Sequence, residues 1–246
     1  MFPVIQIGPL ALQTPGLIIL ISLWVGITLT EKSAKAYKVS ADMLSSLIMT
    51  ALISGVIGGR IAYVARYPNA FTSNPLNLIS LNPGLFDLVG GIAAGVIGAV
   101  IYGQRKNLPL WNTLDALVPF FGMLAIGLAL SNLSSGNAFG IETDLPWGIE
   151  LWGLKRHPTQ IYEMLAAFVT LSLLWPPKED PQPRAGVSFV TFITFTAGYR
   201  LFLEAFRGDS ALIFGGIRSA QVVALIILAG ALWLLDRRKP LSQNRK

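Results

Sequence analysis

A chain of 246 residues that is 53% hydrophobic and 13% charged, with mean hydropathy +0.59, lies far from the roughly 25% charged residues of soluble domains and reads as an integral membrane protein. It has no cysteine and one histidine, which excludes a disulfide framework, a thiol nucleophile and a lipidated cysteine and leaves too few ligands for a metal site; no metal and no cofactor is expected. A net charge of +6 would suit nucleic acid in a soluble protein, but here the basic residues stand in short loops that orient membrane segments, and no nucleic-acid partner is expected.

The first 13 residues carry no ionisable side chain. The first apolar stretch, from about Pro15 to Thr30, has no basic region ahead of it and no small-residue cleavage site, so it reads as a retained helix. Lys32, Lys35 and Lys38 follow. A second segment runs from about Met43 to Val64 with Arg60 near its far end, and a loop rich in Asn, Pro and Ser extends to Asp87. The third, Leu88 to Gly103, holds Gly90, Gly91, Gly95 and Gly98, a spacing that lets another helix approach closely. Segment four spans about Leu114 to Ser131. A polar connection through Glu142, Asp144 and Glu150 leads to His157 and Pro158, which open segment five, ending at Pro176. The loop Pro177 to Arg184 is too short and proline-rich to hold a domain. Segments six and seven run from about Val187 to Phe206 and from Ile217 to Leu235.

These lengths suit spanning helices and not the short alternating segments of a barrel. The expected fold is therefore an all-α bundle of about seven transmembrane helices, a single membrane domain over residues 1–246. Lysines and arginines collect after the odd-numbered segments, at Lys32 to Lys38, Arg105, Lys106, Lys178, Arg184 and the tail from Arg237 to Lys246. By the positive-inside rule the N-terminus is extracytoplasmic and the C-terminus cytoplasmic. Residues 132–157 then form a short extracytoplasmic connection, and 236–246 a basic cytoplasmic tail. No internal repeat at a fixed period supports an inverted-repeat transporter.

The polar stretch Arg156-His157-Pro158-Thr159-Gln160-Ile161-Tyr162-Glu163 adjoins the apolar run from Met164 to Trp175. Pro158 suits the first helical position, so the free N–H groups beside Arg156 offer a landing place for a phosphate or carboxylate; a capped helix start anchored among headgroups accounts for the same residues. Charges within spans are costly, roughly 2.5–3.5 kcal/mol each at the helix centre. Arg60, after Gly58 and Gly59, either faces a ligand or snorkels. Arg200 and Glu204 share a helix face that Arg207 continues; they form a self-neutralising network, or they meet an anionic headgroup with Glu204 orienting an arginine. Asn132 and Gly140 flank what reads locally as a polar turn.

Arg156 to Glu163 resembles the Arg-His-Pro-Ser/Thr-Gln-Leu-Tyr-Glu motif of bacterial prolipoprotein diacylglyceryl transferases. In the family's order, Gly58-Gly59-Arg60-Ile61-Ala62-Tyr63 is similar to its Gly-Gly-Arg-Ile-Gly-Tyr, Gly90-Gly91 to the pair after its histidine, Gly198 to Arg207 to its Arg-Phe-x-x-Glu-x-x-Arg region, and Ile217 to Leu225, around Gln221, to its last-helix start. The resemblance implies transfer of a diacylglyceryl group from phosphatidylglycerol to the lipobox cysteine thiol of a preprolipoprotein, with release of glycerol phosphate, in the bacterial cytoplasmic (inner) membrane. It implies His157, Glu204 and Arg200 as catalytic residues, with Arg60, Asn132, Gly140, Arg156, Gln160, Tyr162, Glu163 and Arg207 binding substrate.

The chain departs from the pattern at named positions. Val89 stands where the family has its histidine, Ala129 where its signature has arginine, and Asn137 where that signature has glutamate; Thr196 replaces a tyrosine. An active transferase would use His157 or Glu204 in place of the lost histidine. The alternative is a catalytically inactive paralogue, a lipid-binding or scaffolding subunit whose glycine-rich third segment meets partner subunits of a membrane complex.

Overall fold

The computed structural model describes residues 4–7, 10–69, 83–176, 184–213 and 215–238. Most of the expected Asn-, Pro- and Ser-rich loop, most of the Pro177–Arg184 loop and the tail from Lys239 fall outside these residues. Eight α-helices are present among them: α1 (Thr14–Ala34), α2 (Ala41–Arg66), α3 (Leu88–Arg105), α4 (Leu110–Ala116), α5 (Val118–Ser135), α6 (Thr159–Leu173), α7 (Val187–Leu203) and α8 (Ser219–Arg238). Three two-stranded antiparallel hairpins join them: β1 (Val4–Ile7) with β2 (Leu10–Gln13), β3 (Ile149–Leu151) with β4 (Leu154–Arg156), and β5 (Leu212–Ile213) with β6 (Ile217–Arg218). Six helices, α1, α2, α3, α5, α7 and α8, are long and apolar enough to cross a membrane. The chain is a multi-pass membrane protein.

Several boundaries differ from the sequence expectation for local reasons. Segment four divides at Leu117, because Pro119 lies in the first turn of α5 and the seven-residue α4 precedes it. Pro158 caps α6 from just outside it, with ψ at 65°, instead of filling the first helical place. The first two residues of segment seven belong to β6. Segment five is the shortest of the expected spans: α6 has 15 residues, about 22 Å at 1.5 Å per residue, against a hydrocarbon core of about 30 Å.

Contacts at the two ends of the bundle give the chain's direction. At one end Ser33 Oγ, on α1, donates to the carbonyl of Ala116. There too Asp115 accepts the backbone N–H groups of Gly186 and Phe189 at 2.5 and 2.8 Å, capping the start of α7 from a distant part of the chain. Arg238, near the end of α8, lies over the Trp111 ring and donates to the carbonyl of Ala185. At the other end α5 stops beside the start of α6, where Gln160 Nε2 donates to the carbonyl of Asn137 at 2.7 Å. The end of α7 meets α6 there, through Arg200 and Glu163. Since α5 and α7 both run from the Asp115 end to the His157 end, α6 and the residues after it carry the chain back between them.

The glycines of α3 find their partner within the chain. A Cβ built on Gly58 of α2 would collide with the Cβ of Ala94, one on Gly90 with that of Ala62, and one on Gly98 with Ser54 Oγ. The α2 and α3 backbones are thus as close as small residues allow, which is how helices associate where lipid tails are as apolar as their side chains. The opposite side of α3, including Val89, Ile92 and Val96, is exposed. Gly58→Ala is expected to lower the thermal unfolding midpoint in detergent by the equivalent of about 1–3 kcal/mol, the usual cost of overpacking. Gly230→Ala in α8, where nothing lies within 4 Å of an added Cβ, is expected to leave it unchanged or slightly higher. Equal midpoints for the two variants would refute the close-packing account.

Candidate functional site

The site is built around the start of α6. Residues 140–142 run between two other stretches of backbone. On one side Ile141 N–H donates to the carbonyl of Phe206 and Gly208 N–H to that of Phe139; on the other His157 N–H donates to the carbonyl of Ile141. Gly140 and Arg207 form an antiparallel bridge, as do Glu142 and Arg156. A side chain at Gly140 would collide with the carbonyl of His157, so its place in the site is that of a close approach between two backbones. Thr159, fully buried, donates to the carbonyl of Ala138 at 2.5 Å, and this bond with that of Gln160 sews α6 to the end of α5.

An ionic network lies on the adjoining side of α6. Glu163 Oε1 accepts from Arg200 Nη1 at 2.7 Å and from Arg207 Nη1 at 3.3 Å. Glu204, 2% exposed, accepts the hydroxyl of Ser210 at 2.7 Å on Oε1. Its Oε2 faces Arg200 Nη2 at 3.1 Å as an ion pair without an aligned hydrogen bond, and lies 3.9 Å from Arg207 Nε. Arg207 is held on its other side by Asp209, Nε to Oδ1 and Nη2 to Oδ2, both at 2.9 Å. Arg218 reaches in from β6 to the backbone carbonyl of Glu204. The self-neutralising network expected of the Arg-Glu-Arg spacing is therefore present, and it is larger than that spacing implies. Arg200, whose side chain is 34% exposed against 12% for Arg207, is the more open of these two arginines, and Asp209 is exposed as well.

His157 stands next to this network. Its ring packs 5.2 Å, centroid to centroid, from Phe206, and its Nδ1 lies 3.4 Å from the hydroxyl of Tyr162. That hydroxyl accepts the indole N–H of Trp147 at 2.8 Å. His157, Gln160, Tyr162, Glu163, Arg200, Glu204, Arg207 and Gly140 are thereby brought together.

Arg156, Asn132 and Arg60 make other contacts. Arg156 donates to the carbonyls of Leu151 and Gly140, both at 3.3 Å, and lies over the Phe139 ring, so it braces the hairpin. Asn132 gives its carbonyl to the N–H of Asn137 at the end of α5. Arg60 donates to the carbonyl of Leu85 at 2.9 Å and stacks over Phe86, on the α2–α3 pair. Val89 is 73% exposed on the first turn of α3, while Ala129 is buried in α5. Sequence reasoning passed over Asp209 and Trp147. An acid two residues after Arg207 was a usable signal; Trp147, 15 residues before Tyr162, meets it only through the β3–β4 hairpin.

Residues 3–236 match the family model for prolipoprotein diacylglyceryl transferase. A protein of Trichormus variabilis named phosphatidylglycerol–prolipoprotein diacylglyceryl transferase is 32% identical over 96% of this chain and 90% of its own length. A protein of the same name from Bordetella parapertussis is 30% identical over 96% and 95%, and one from Finegoldia magna 29% over 93% and 92%. With a family model covering nearly its whole length and relatives of this identity, the chain belongs to the prolipoprotein diacylglyceryl transferase family.

Proposed function

We propose that this protein transfers a diacylglyceryl group from phosphatidylglycerol to the cysteine thiol of a prolipoprotein at the extracytoplasmic face of the bacterial inner membrane. The observation that carries the reading is the partly exposed guanidinium of Arg200, held by Glu204 and by Glu163 on the helix that the sole histidine, His157, precedes. The names and full-length similarity of the relatives support the substrates. Residues 1–246 act as one membrane domain with seven passes, α6 among them. The N-terminus lies outside, 132–157 forms the outer connection, and the basic end from 236 lies in the cytoplasm, an orientation that the distribution of lysine and arginine supports.

In the reaction the cysteine sulfur bonds to the terminal glyceryl carbon as that carbon's bond to the phosphate oxygen breaks. The electron pair leaves with glycerol phosphate, and the thiol proton passes to that phosphate or to water. Charge therefore grows on phosphate oxygen, where a preorganised guanidinium is worth most. Arg200 supplies it, held in place by Glu163 and Glu204. Glu204 itself is buried, with Oε1 accepting from Ser210 and Oε2 facing the two arginines without an aligned hydrogen bond, and it serves as the counter-charge that holds them. His157, at the start of α6, adds a hydrogen-bonding group on this side of the bundle.

A non-catalytic reading draws on Val89, Ala129 and Asn137, where the family pattern has histidine, arginine and glutamate. The two readings separate in one assay. Purified protein, phosphatidylglycerol and a lipobox peptide are expected to give a diacylglyceryl adduct on cysteine by mass spectrometry, reduced about 100-fold or more in rate by Arg200→Ala and similarly by His157→Ala. No adduct from the wild type, with phospholipid still co-purifying, would favour a lipid-binding or scaffolding subunit.

Glu204→Ala is expected to act differently, by lowering the unfolding midpoint through about 1–3 kcal/mol, since it leaves Arg200 and the more buried Arg207 with fewer carboxylates. His157→Ala, at a half-buried ring outside the ionic network, is expected to keep a midpoint near the wild type. Loss of activity in Glu204→Ala without loss of stability would assign Glu204 to the chemistry instead.

A further inference from the structure

We propose that Trp147 is a positioning residue that acts through Tyr162 to fix the tautomer of His157, so that the imidazole presents Nε2–H as a donor to the departing phosphate and does not serve as base to the thiol. This deepens the transfer reading and rests on it.

The direction of the hydrogen-bond chain follows from what each group can do. An indole N–H only donates. At 2.8 Å from the hydroxyl of Tyr162, that of Trp147 must therefore occupy an acceptor position on the phenolic oxygen. The phenol's own hydrogen remains, and the acceptor placed for it is His157 Nδ1 at 3.4 Å. Donation in one sense along such a chain is cooperative, each bond polarising the next. The opposite arrangement, Nδ1–H donating to the phenol, would have one oxygen accept twice and turn its own hydrogen outward, without the one-sense chain in which each bond strengthens the next. A neutral imidazole with Nδ1 accepting carries its hydrogen on Nε2. A bond of 3.4 Å is long, as such bonds often are before substrate tightens them.

The surroundings restrict rotation of the ring. Phe206 packs against both rings, with centroids 5.2 Å from the imidazole and 6.5 Å from the phenol. The backbone of His157 is tied to Ile141, and its Cβ lies 2.6 Å from where a Cβ on Gly140 would stand. A ring held this way, with Nδ1 engaged, has one remaining hydrogen-bonding atom, Nε2–H. In the transfer reaction that donor matches the phosphate oxygen on which charge grows as its bond to carbon breaks. No proton need be removed by His157, because the thiol proton is accounted for by the released phosphate or water.

His157 is the only histidine in the chain, so the experiment is direct. Full-length protein carrying 15N-histidine, in nanodiscs containing phosphatidylglycerol, has a single imidazole to observe. At a pH where the ring is neutral, Nε2 is expected to be protonated and Nδ1 unprotonated. Tyr162→Phe and Trp147→Phe are each expected to shift the spectrum toward a mixture of tautomers, the former more strongly. Added glycerol phosphate is expected to move the Nε2 signal more than that of Nδ1. In the adduct assay Trp147→Phe is expected to lower kcat severalfold with KM for phosphatidylglycerol little changed. A wild-type ring protonated on Nδ1, or a spectrum that neither substitution alters, would overturn the proposal. Should the wild type form no adduct while its spectrum is as expected, the transfer reading fails and the tautomer lock stands; should an adduct form with Nδ1 protonated, the reverse holds.

Discussion

A carboxylate buried to the extent of Glu204 dictates much of what surrounds it. Removing an ion from water costs several kcal/mol even after relaxation, and here the side chain is 2% exposed at one end of an apolar bundle. The cost is offset by pairing. Glu163, Glu204 and Asp209 are met by Arg200 and Arg207 through their side chains, and Arg218 adds its charge at the carbonyl of Glu204. The partners come from α6, from α7, from the turn after it and from β6. The interaction that makes charge tolerable in this place is therefore also what draws these elements to one point.

Backbone pairing completes what the ions begin. Residues 140–142 lie between the backbone after α7 and the backbone before α6, so Ile141, in a connection with no regular structure of its own, has its N–H paired on one side and its carbonyl on the other. Gly140 permits this because no side chain fits against the carbonyl of His157. His157 is carried on this weave and Arg200 on the ionic network, and the two meet at the first turn of α6. A displacement in either would move the imidazole relative to the guanidinium.

How far all this can be read from the sequence depends on the length scale of the signal. Apolar runs near 20 residues mark helices by themselves, which is why α1, α2, α3, α7 and α8 lie close to where the pattern puts them. The four-residue spacing of Arg200 and Glu204 marks a shared face. Beyond Leu203 that rule weakens, because a 3₁₀ turn over Glu204–Phe206 and an extended Arg207 carry the second arginine into the grip of Asp209. The hairpins have strands of two to four residues, too short to show an alternation, and with them went the contact between Trp147 and Tyr162. The glycines of α3 announced a close neighbour without naming it; only the packing identifies α2, where a second subunit had been an option.

The departures from the family pattern have a physical logic of their own. Where the resembled pattern has a cation and an anion, this chain has Ala129, buried in α5, and Asn137, eight residues on, whose carbonyl receives Gln160. Neutral residues at both positions leave the same net charge as such a pair would, whereas one charge without the other would leave an ion to be neutralised in an apolar bundle. Val89 is a different kind of loss. It sits on the exposed side of α3, an apolar residue on a face suited to lipid, and its position is away from the pairs that hold Glu204. What the loss takes away is a titratable group, not a support. The network around Glu204 is held without it, by contacts among α6, α7, the turn after α7 and β6.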